Sequence, residues 1–528
     1  MNTKQLRQKI LDLAIRGKLV PQDSNDEPAS KLLERIRAEK EQLIKDKKIK
    51  RDKNESYIFV GDDKLHYEKF ADGSIVCIED EIPFEIPETW AWVRLKDVSI
   101  INPKNKADDN TEAGFIPMPL ISKNYLESVM FQKKTWNEIK KGFTHFQNND
   151  VVVAKITPCF ENSKAAIISN LPNNLGAGTT ELHVIRPIKI LPEYVYAIAK
   201  TKQFLESGKQ EMTGCAGQQR VPTSFIEDYL IPIPPINEQQ RITQTIKELL
   251  NLVETLECNK LELTNLIKQT KSKVLDLAIR GKLTPQDPND EPADKLLEEI
   301  REEREKLIKE SKLKRDKNET FIYKNSDDNS YYEQIDEETV CIDDDLPFEI
   351  PDSWRWTKFG NICNIARGGS PRPIETYLTN DKNGINWIKI SDTEKGGKYI
   401  YSTKEKIKPE GISKSRYVKA GDFLLTNSMS FGRPYILKTD GCIHDGWLVI
   451  NDDFKVFCQD FLYYLLSSNI MYQLLSIAAQ GSTVKNLKLD TVKNVIIPIP
   501  PLNEQIKISK KIVSVFNQLD TIQEIFNK

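Results

Sequence analysis

The sequence predicts an α+β molecule: two pseudo-two-fold-related mixed α/β domains separated by two long antiparallel helices that pair as a coiled coil. Three observations carry this. A long framework segment occurs twice, a heptad-patterned stretch follows each of two Pro-Pro turns, and a strand-rich insert of unlike sequence sits at the same place in each repeat.

The repeat comes first, because self-similarity decides how everything else is read. Residues 11–59, LDLAIRGKLVPQDSNDEPASKLLERIRAEKEQLIKDKKIKRDKNESYIF, return as residues 275–323 with about three positions in four identical. The offset is 264, half of the 528-residue chain. VCIEDEIPFEIPETWAWVRL from Val76 matches VCIDDDLPFEIPDSWRWTKF from Val340, and IPIPPINEQQRI from Ile231 matches IPIPPLNEQIKI from Ile497. Between the second and third blocks the halves share almost nothing. Near copies of a scaffold carrying two unlike cargoes suit a protein that reads two different things at a fixed separation.

Consecutive prolines stop a strand and forbid helix. After the first such turn, Ile242, Ile246, Leu249, Val253, Leu256, Leu263, Ile267, Val274 and Leu277 fall at spacings of three, four or seven. That seam predicts a helix from about Asn237 to Ile279, ended by Gly281 and roughly 60 Å long at 1.5 Å per residue. So narrow an apolar stripe needs a partner helix. The last segment of the chain matches the first half of this helix, and the first segment matches its second half. The partner is therefore expected to be split between the two termini, with Met1 and Lys528 meeting in space. A shorter amphipathic helix is expected around KLLERIRAEKEQLIKDKKIKRDK and its copy, with Leu32, Leu33, Ile36, Leu43 and Ile44 on one face.

The inserts, residues 89–230 and 353–496, show strand-like runs (DVVVAKI, KAAIIS, ELHVIRP, INWIKI, DFLLTN, WLVIN), each set followed by one helical stretch, PEYVYAIAKTKQFLESG or QDFLYYLLSSNIMYQLLS. Strands followed by a helix indicate an α+β domain. Formal net charge is −2, which by itself argues mildly against a polyanion partner. The distribution argues otherwise. The first insert carries 17 basic and 14 acidic residues and the second 20 and 13, whereas the segments before them are acidic. The eight cysteines form no C-x-x-C pair, and with four histidines no metal-ligand spacing arises. No apolar run approaches the roughly 18–20 residues that span a bilayer, and the charged start lacks a signal-peptide core. A cytoplasmic location without membrane contact is expected.

The IPIPPxNEQ and IPxxWxW motifs, the LDLAIRGKL…PQD…EPA framework, and the insert segments GDFLLTNSMSFGRPYIL, ARGGSPRP, INWIKISD and GAGTTELHVIRP together resemble type I restriction-modification specificity subunits over essentially the whole chain. The first copy of the framework, with its extra amphipathic helix, is found only in part of that family and leaves the helix without a role. Its basic tail suits DNA phosphates, a partner protein or a solvated helix end alike. The resemblance implies framework helices at 1–60, a first target-recognition domain at 61–235, the central long helix and repeated amphipathic helix at 236–323, a second recognition domain at 324–501 and the last long helix at 502–528. It implies double-stranded DNA as ligand, two methyltransferase subunits and restriction/translocase subunits as partners, and S-adenosylmethionine, ATP and magnesium bound by those partners and not here.

Base-edge contacts specify sequence while phosphate contacts position the protein. Basic, amide and hydroxyl side chains on Gly-rich loops at strand ends are therefore the candidates. In TGCAGQQRVPTS, Gln218 and Gln219 suit adenine edges and Arg220 suits guanine or phosphate; Lys155, Thr157, Lys164, Thr179 and Thr180 are further candidates. In the second insert AQGSTVKNLKL offers Ser482, Thr483, Lys485 and Asn486, with Arg367, Ser370, Arg372, Lys389, Asn427, Ser428, Ser430 and Arg433 elsewhere. Unlike inserts imply unlike half-sites, and the length of the helices should set the unread spacer. A stand-alone nuclease or methyltransferase lacks support: no phosphate loop, dinucleotide fingerprint or Asn-Pro-Pro-aromatic motif occurs. A coiled-coil adaptor accounts for the helices but not for two basic inserts.

Overall fold

The computed structural model describes residues 2–52, 55–215, 217–313, 315, 320–335, 337–394, 396–427, 431–478 and 487–527. The chain divides into two compact units, Met1–Leu261 and Glu262–Lys528. The expected meeting of Met1 and Lys528 lies outside the described residues.

One helix, Ile236–Ile279, follows the first Pro-Pro turn, within a residue of the sequence expectation. In the first unit its N-terminal half packs antiparallel to the helix Thr3–Ile15: Arg7 meets Glu257 at 2.6 Å, and further along the chain Asp26 meets Arg241 at 2.5 Å. In the second unit its C-terminal half packs antiparallel to Leu502–Asn527 by the same device, with Lys271 to Asp520 at 2.5 Å and Lys507 to Asp290 at 3.0 Å. Ile242, Ile246, Leu250 and Val253 are buried with Ile10, Leu11 and Ala14, and Ile267 and Val274 are buried in the second unit. Leu256, expected on the seam, is 51% exposed. At 3.6 residues per turn the position after Val253 belongs to Glu257, and its ion pair with Arg7 takes the place of an apolar contact.

The repeated motifs are a clamp. Strand Ala91–Arg94 pairs with Leu230–Ile233, and Arg355–Lys358 with Ile496–Ile499, so each insert is closed at its base by a two-stranded ribbon. The buried glutamate of NEQ then accepts the indole N–H of the IPxxW tryptophan: Trp90 Nε1 to Glu238 Oε2 and Trp354 Nε1 to Glu504 Oε2 are both 2.8 Å. Its other oxygen accepts from Gln22 or Gln286 of the PQD motif. The adjacent Gln239 accepts from the Leu191 amide, and Gln505 from the Cys458 amide, which fixes where the helical part of each insert begins. Gly17 and Gly281 end their helices at φ +65° beneath Pro87 and Pro351.

Each insert is built from two small sheets. In the first, one sheet runs Ala165–Ile167, Val151–Ala154, Leu182–Pro187, Ser99–Ile101, and the other runs Gln132–Thr135, Glu112–Ile116, Gly176–Gly178, Thr144–Phe146. In the second, Pro434–Leu437, Phe423–Thr426, Trp447–Asn451 and Asn364–Arg367 repeat the first order, with Tyr399–Ile400 added at the edge. Glu405–Ile407, Ile385–Ile388, Gly441–Ile443 and Arg416–Val418 repeat the second, extended by Leu378–Thr379. Even the single parallel pair recurs within each second sheet, Gly176–Gly178 on Gly114–Ile116 and Cys442–Ile443 on Trp387–Ile388. Sequences with almost nothing in common thus adopt one topology.

The stretches expected as single helices are each two, Pro192–Ala199 with Lys202–Gln210 and Gln459–Ser467 with Asn469–Ala478. The break falls on Thr201 or Ser468, whose extended backbone and side-chain oxygen cap the next helix by accepting from Phe204 N at 3.2 Å or Met471 N at 3.1 Å. The amphipathic helices are present at Ala29–Lys45 and Ala293–Lys309, with Leu32, Leu33 and Ile36 buried as the spacing required. Each is followed by a three-stranded meander, Ser56–Val60, His66–Phe70, Ile75–Cys77 or Phe321–Lys324, Tyr331–Ile335, Glu338–Cys341. In the basic tail, Arg51 is paired with Glu41 and Glu55.

Candidate nucleic-acid interface

In the first insert most of the predicted residues converge on one edge. The loop Thr213–Arg220 is closed by reciprocal backbone bonds, Thr213 N to Arg220 O at 3.0 Å and Arg220 N to Thr213 O at 2.8 Å. It is tied to the end of strand Val151–Ala154: Thr157 N donates to Gln219 O at 3.0 Å, Gln219 N donates to Thr157 Oγ1 at 3.1 Å, and Val221 N donates to Lys155 O at 2.9 Å. Lys155 N in turn donates to Glu181 O, and Glu181 N donates to Thr179 Oγ1. Lys155, Thr157, Thr179, Gln218, Gln219 and Arg220 therefore share a rim, with Gln218 and Thr180 exposed. Lys164 lies beside the same strand end, its carbonyl accepting from Ala154 N at 2.9 Å, but its amine donates to Met118 O at 3.1 Å.

Two residues at this rim carried no sequence signal. Glu181 binds the Arg220 guanidinium in a fork, Nε to Oε2 at 2.9 Å and Nη2 to Oε1 at 2.8 Å. The pairing holds the Glu181 carboxyl below its usual range. His183, buried on the neighbouring strand, donates from Nε2 to Val221 O at 2.9 Å, and burial keeps its ring below the ordinary imidazole range and so neutral.

The second insert gathers its candidates around Asp445. Ser370 Oγ donates to Asp445 Oδ1 at 2.7 Å, Arg372 lies 3.7 Å from Oδ2, and both Arg367 Nε and Asn427 Nδ2 donate to the Asp445 carbonyl. The Ser370 bond keeps the Asp445 carboxyl below its usual range. Ser370, Arg372 and Asp445 line an open recess of about 880 Å³ with Lys389, whose amine pairs with Glu405 at 2.5 Å, and His444, whereas Arg367 and Asn427 lie outside its lining. Asn427 is buried and structural in geometry, whereas the Arg372 side chain is 82% exposed. Arg433 lies 5.5 Å over the Tyr435 ring, and its backbone pairs with Thr426. Ser428, Ser430, Ser482, Thr483, Lys485 and Asn486 lie outside the described residues. Among the described residues no three His, Cys, Asp or Glu side chains gather as a metal site, and no helix is long and apolar enough to cross a membrane.

Residues 87–265 and 351–528 each match the family described as type I restriction modification DNA specificity domain. The chain belongs to that family. Among its relatives, the EcoEI specificity subunit of Escherichia coli is 34% identical over 98% of this chain and 90% of its own length. The EcoAI specificity subunit of the same organism is 41% identical over 69% of this chain and 63% of its own length. The HsdS subunit of Thermoanaerobacter tengcongensis shares the fold, with a TM-score of 0.54 and 18% identity over 84% of this chain and 94% of that one. A chain from a study of complex assembly and conformational transition in the type I R-M system gives 0.53 and 19% over the same shares. The two matched specificity domains begin at Pro87 and Pro351, 264 residues apart, and run from the clamp through the insert into the long helices. The amphipathic helices and meanders fall outside them. In this family the chain is the specificity component and not a catalytic one.

Proposed function

We propose that this specificity subunit reads a bipartite, asymmetric site in double-stranded DNA, one half through each insert, and directs methylation and cleavage by partner subunits. The observation that carries the reading is that two inserts of unrelated sequence share one sheet topology on near-identical clamps, with basic, amide and hydroxyl side chains gathered at the rim of each. One architecture with two different rims is what two different half-sites require. The partners in this reading are two methyltransferase subunits and restriction/translocase subunits. S-adenosylmethionine, ATP and magnesium belong to those partners, and the assembly works in the cytoplasm. Lys155, Gln218, Gln219 and Arg220 serve the first half-site and Arg367, Ser370, Arg372 and Lys389 the second.

Single-molecule methylation sequencing of DNA from cells expressing the chain with its methyltransferase tests this. A methylated motif of two unlike halves around an unread spacer is expected, and omission of the chain should abolish it. A continuous motif, or full methylation without the chain, refutes the reading.

A further inference from the structure

Resting on that reading, we infer that Glu181 is a specificity-determining residue that presents Arg220 to a guanine in the first half-site. A guanidinium has five N–H groups. At Arg220, Nε and Nη2 donate to the two oxygens of Glu181 at 2.9 and 2.8 Å, and Nη1 donates to Gln218 O at 2.9 Å. One N–H is left on each terminal nitrogen. That is the donor pair that O6 and N7 of guanine accept in the major groove.

Both ends of the fork are anchored. The Arg220 backbone is bonded both ways to Thr213, and Glu181 is held at N by Thr179 and at O by Lys155. The Arg220 side chain keeps 43% of its surface exposed and that of Glu181 25%, so the pair is accessible yet fixed in orientation. A phosphate contact gains nothing from a carboxylate beside it, since the negative charge opposes the polyanion. A base contact gains orientation, because an ordered fork loses less freedom on docking. The second insert has a carboxylate at the matching place. Glu181 directly precedes strand Leu182–Pro187, and Asp445 precedes Trp447–Asn451 by two residues, where it organises Ser370 and Arg372.

The test is equilibrium binding of the full chain, assembled with its methyltransferase, to duplexes bearing the methylated motif with each base pair changed in turn. Glu181→Gln should lower discrimination about tenfold at one G·C pair of the first half-site, leave the second half-site unchanged and bind non-specific duplex as well or better. Arg220→Ala should relax the same base pair. Unchanged discrimination, equal weakening at every position of both halves, or relaxation at a pair other than the one lost in Arg220→Ala overturns the inference. Absence of any preferred bipartite site for the unsubstituted complex removes instead the functional reading beneath it.

Discussion

At the residue scale the clamp concentrates buried polarity in few atoms. Glu238 and Glu504 are buried, and each is satisfied by one indole and one amide donor. Trp90→Phe keeps the ring and removes the donor, leaving a carboxylate oxygen without its partner at a cost of about 1–3 kcal/mol, which chemical denaturation reads. Burial raises the Glu238 carboxyl above its ordinary 4.5 despite those bonds. The folded state then holds a proton that the unfolded state has released, so this residue contributes stability that is fully present below pH 4.5 and lost as pH rises through the raised value. Glu238→Gln should erase that slope in denaturation midpoints measured against pH. Among candidate residues, Gln218, Gln219 and Arg220 could be singled out in the sequence because a Gly-rich loop after a helical stretch displays its side chains. Glu181 and Asp445 were not, because a lone acidic residue before a strand looks like any turn residue and gains meaning only from the cation that folding brings to it.

At the element scale, the long helix Ile236–Ile279 was legible because burial imposes a period, and Val151–Ala154 and Trp447–Asn451 because short continuous apolar runs mark strands buried on both faces. The second sheet of each insert was largely hidden, INWIKI at Ile385–Ile388 being the one of its strands read from the sequence. Gly176–Gly178 has no strand-like composition, yet it is a buried strand in which a Cβ at Gly176 would lie 2.6 Å from the Phe146 ring. The breaks at Thr201 and Ser468 were hidden too, since a hydroxyl residue continues a helix or caps one depending on its tertiary surroundings. Helix ends depend on Gly17 and Gly281 more than their composition suggests. Gly281→Ala would force a left-handed backbone on alanine and set its Cβ 2.4 Å from Pro351 Cγ. A loss of about 1–3 kcal/mol in the second unit is expected, seen as a lowered thermal midpoint.

At the scale of the whole molecule, the repeat made the duplicated plan and the common α+β class of the inserts legible, while their divergence concealed that they share one strand order. Folding constrains chiefly the apolar character and volume of buried side chains, so the wholly buried strands Val151–Ala154 and Phe423–Thr426 can occupy one place with no identity. A heptad inserted in the central helix and in its antiparallel partner keeps the helix faces in phase and adds about 10 Å, which should lengthen the unread spacer by roughly three base pairs with both half-sites unchanged. The most direct test of two independent readers on one scaffold is to replace residues 353–496 with a second copy of residues 89–230 and sequence the methylated DNA. The account predicts a motif in which the first half-site appears twice, in inverted orientation, about the spacer. Retention of the original second half-site would contradict it.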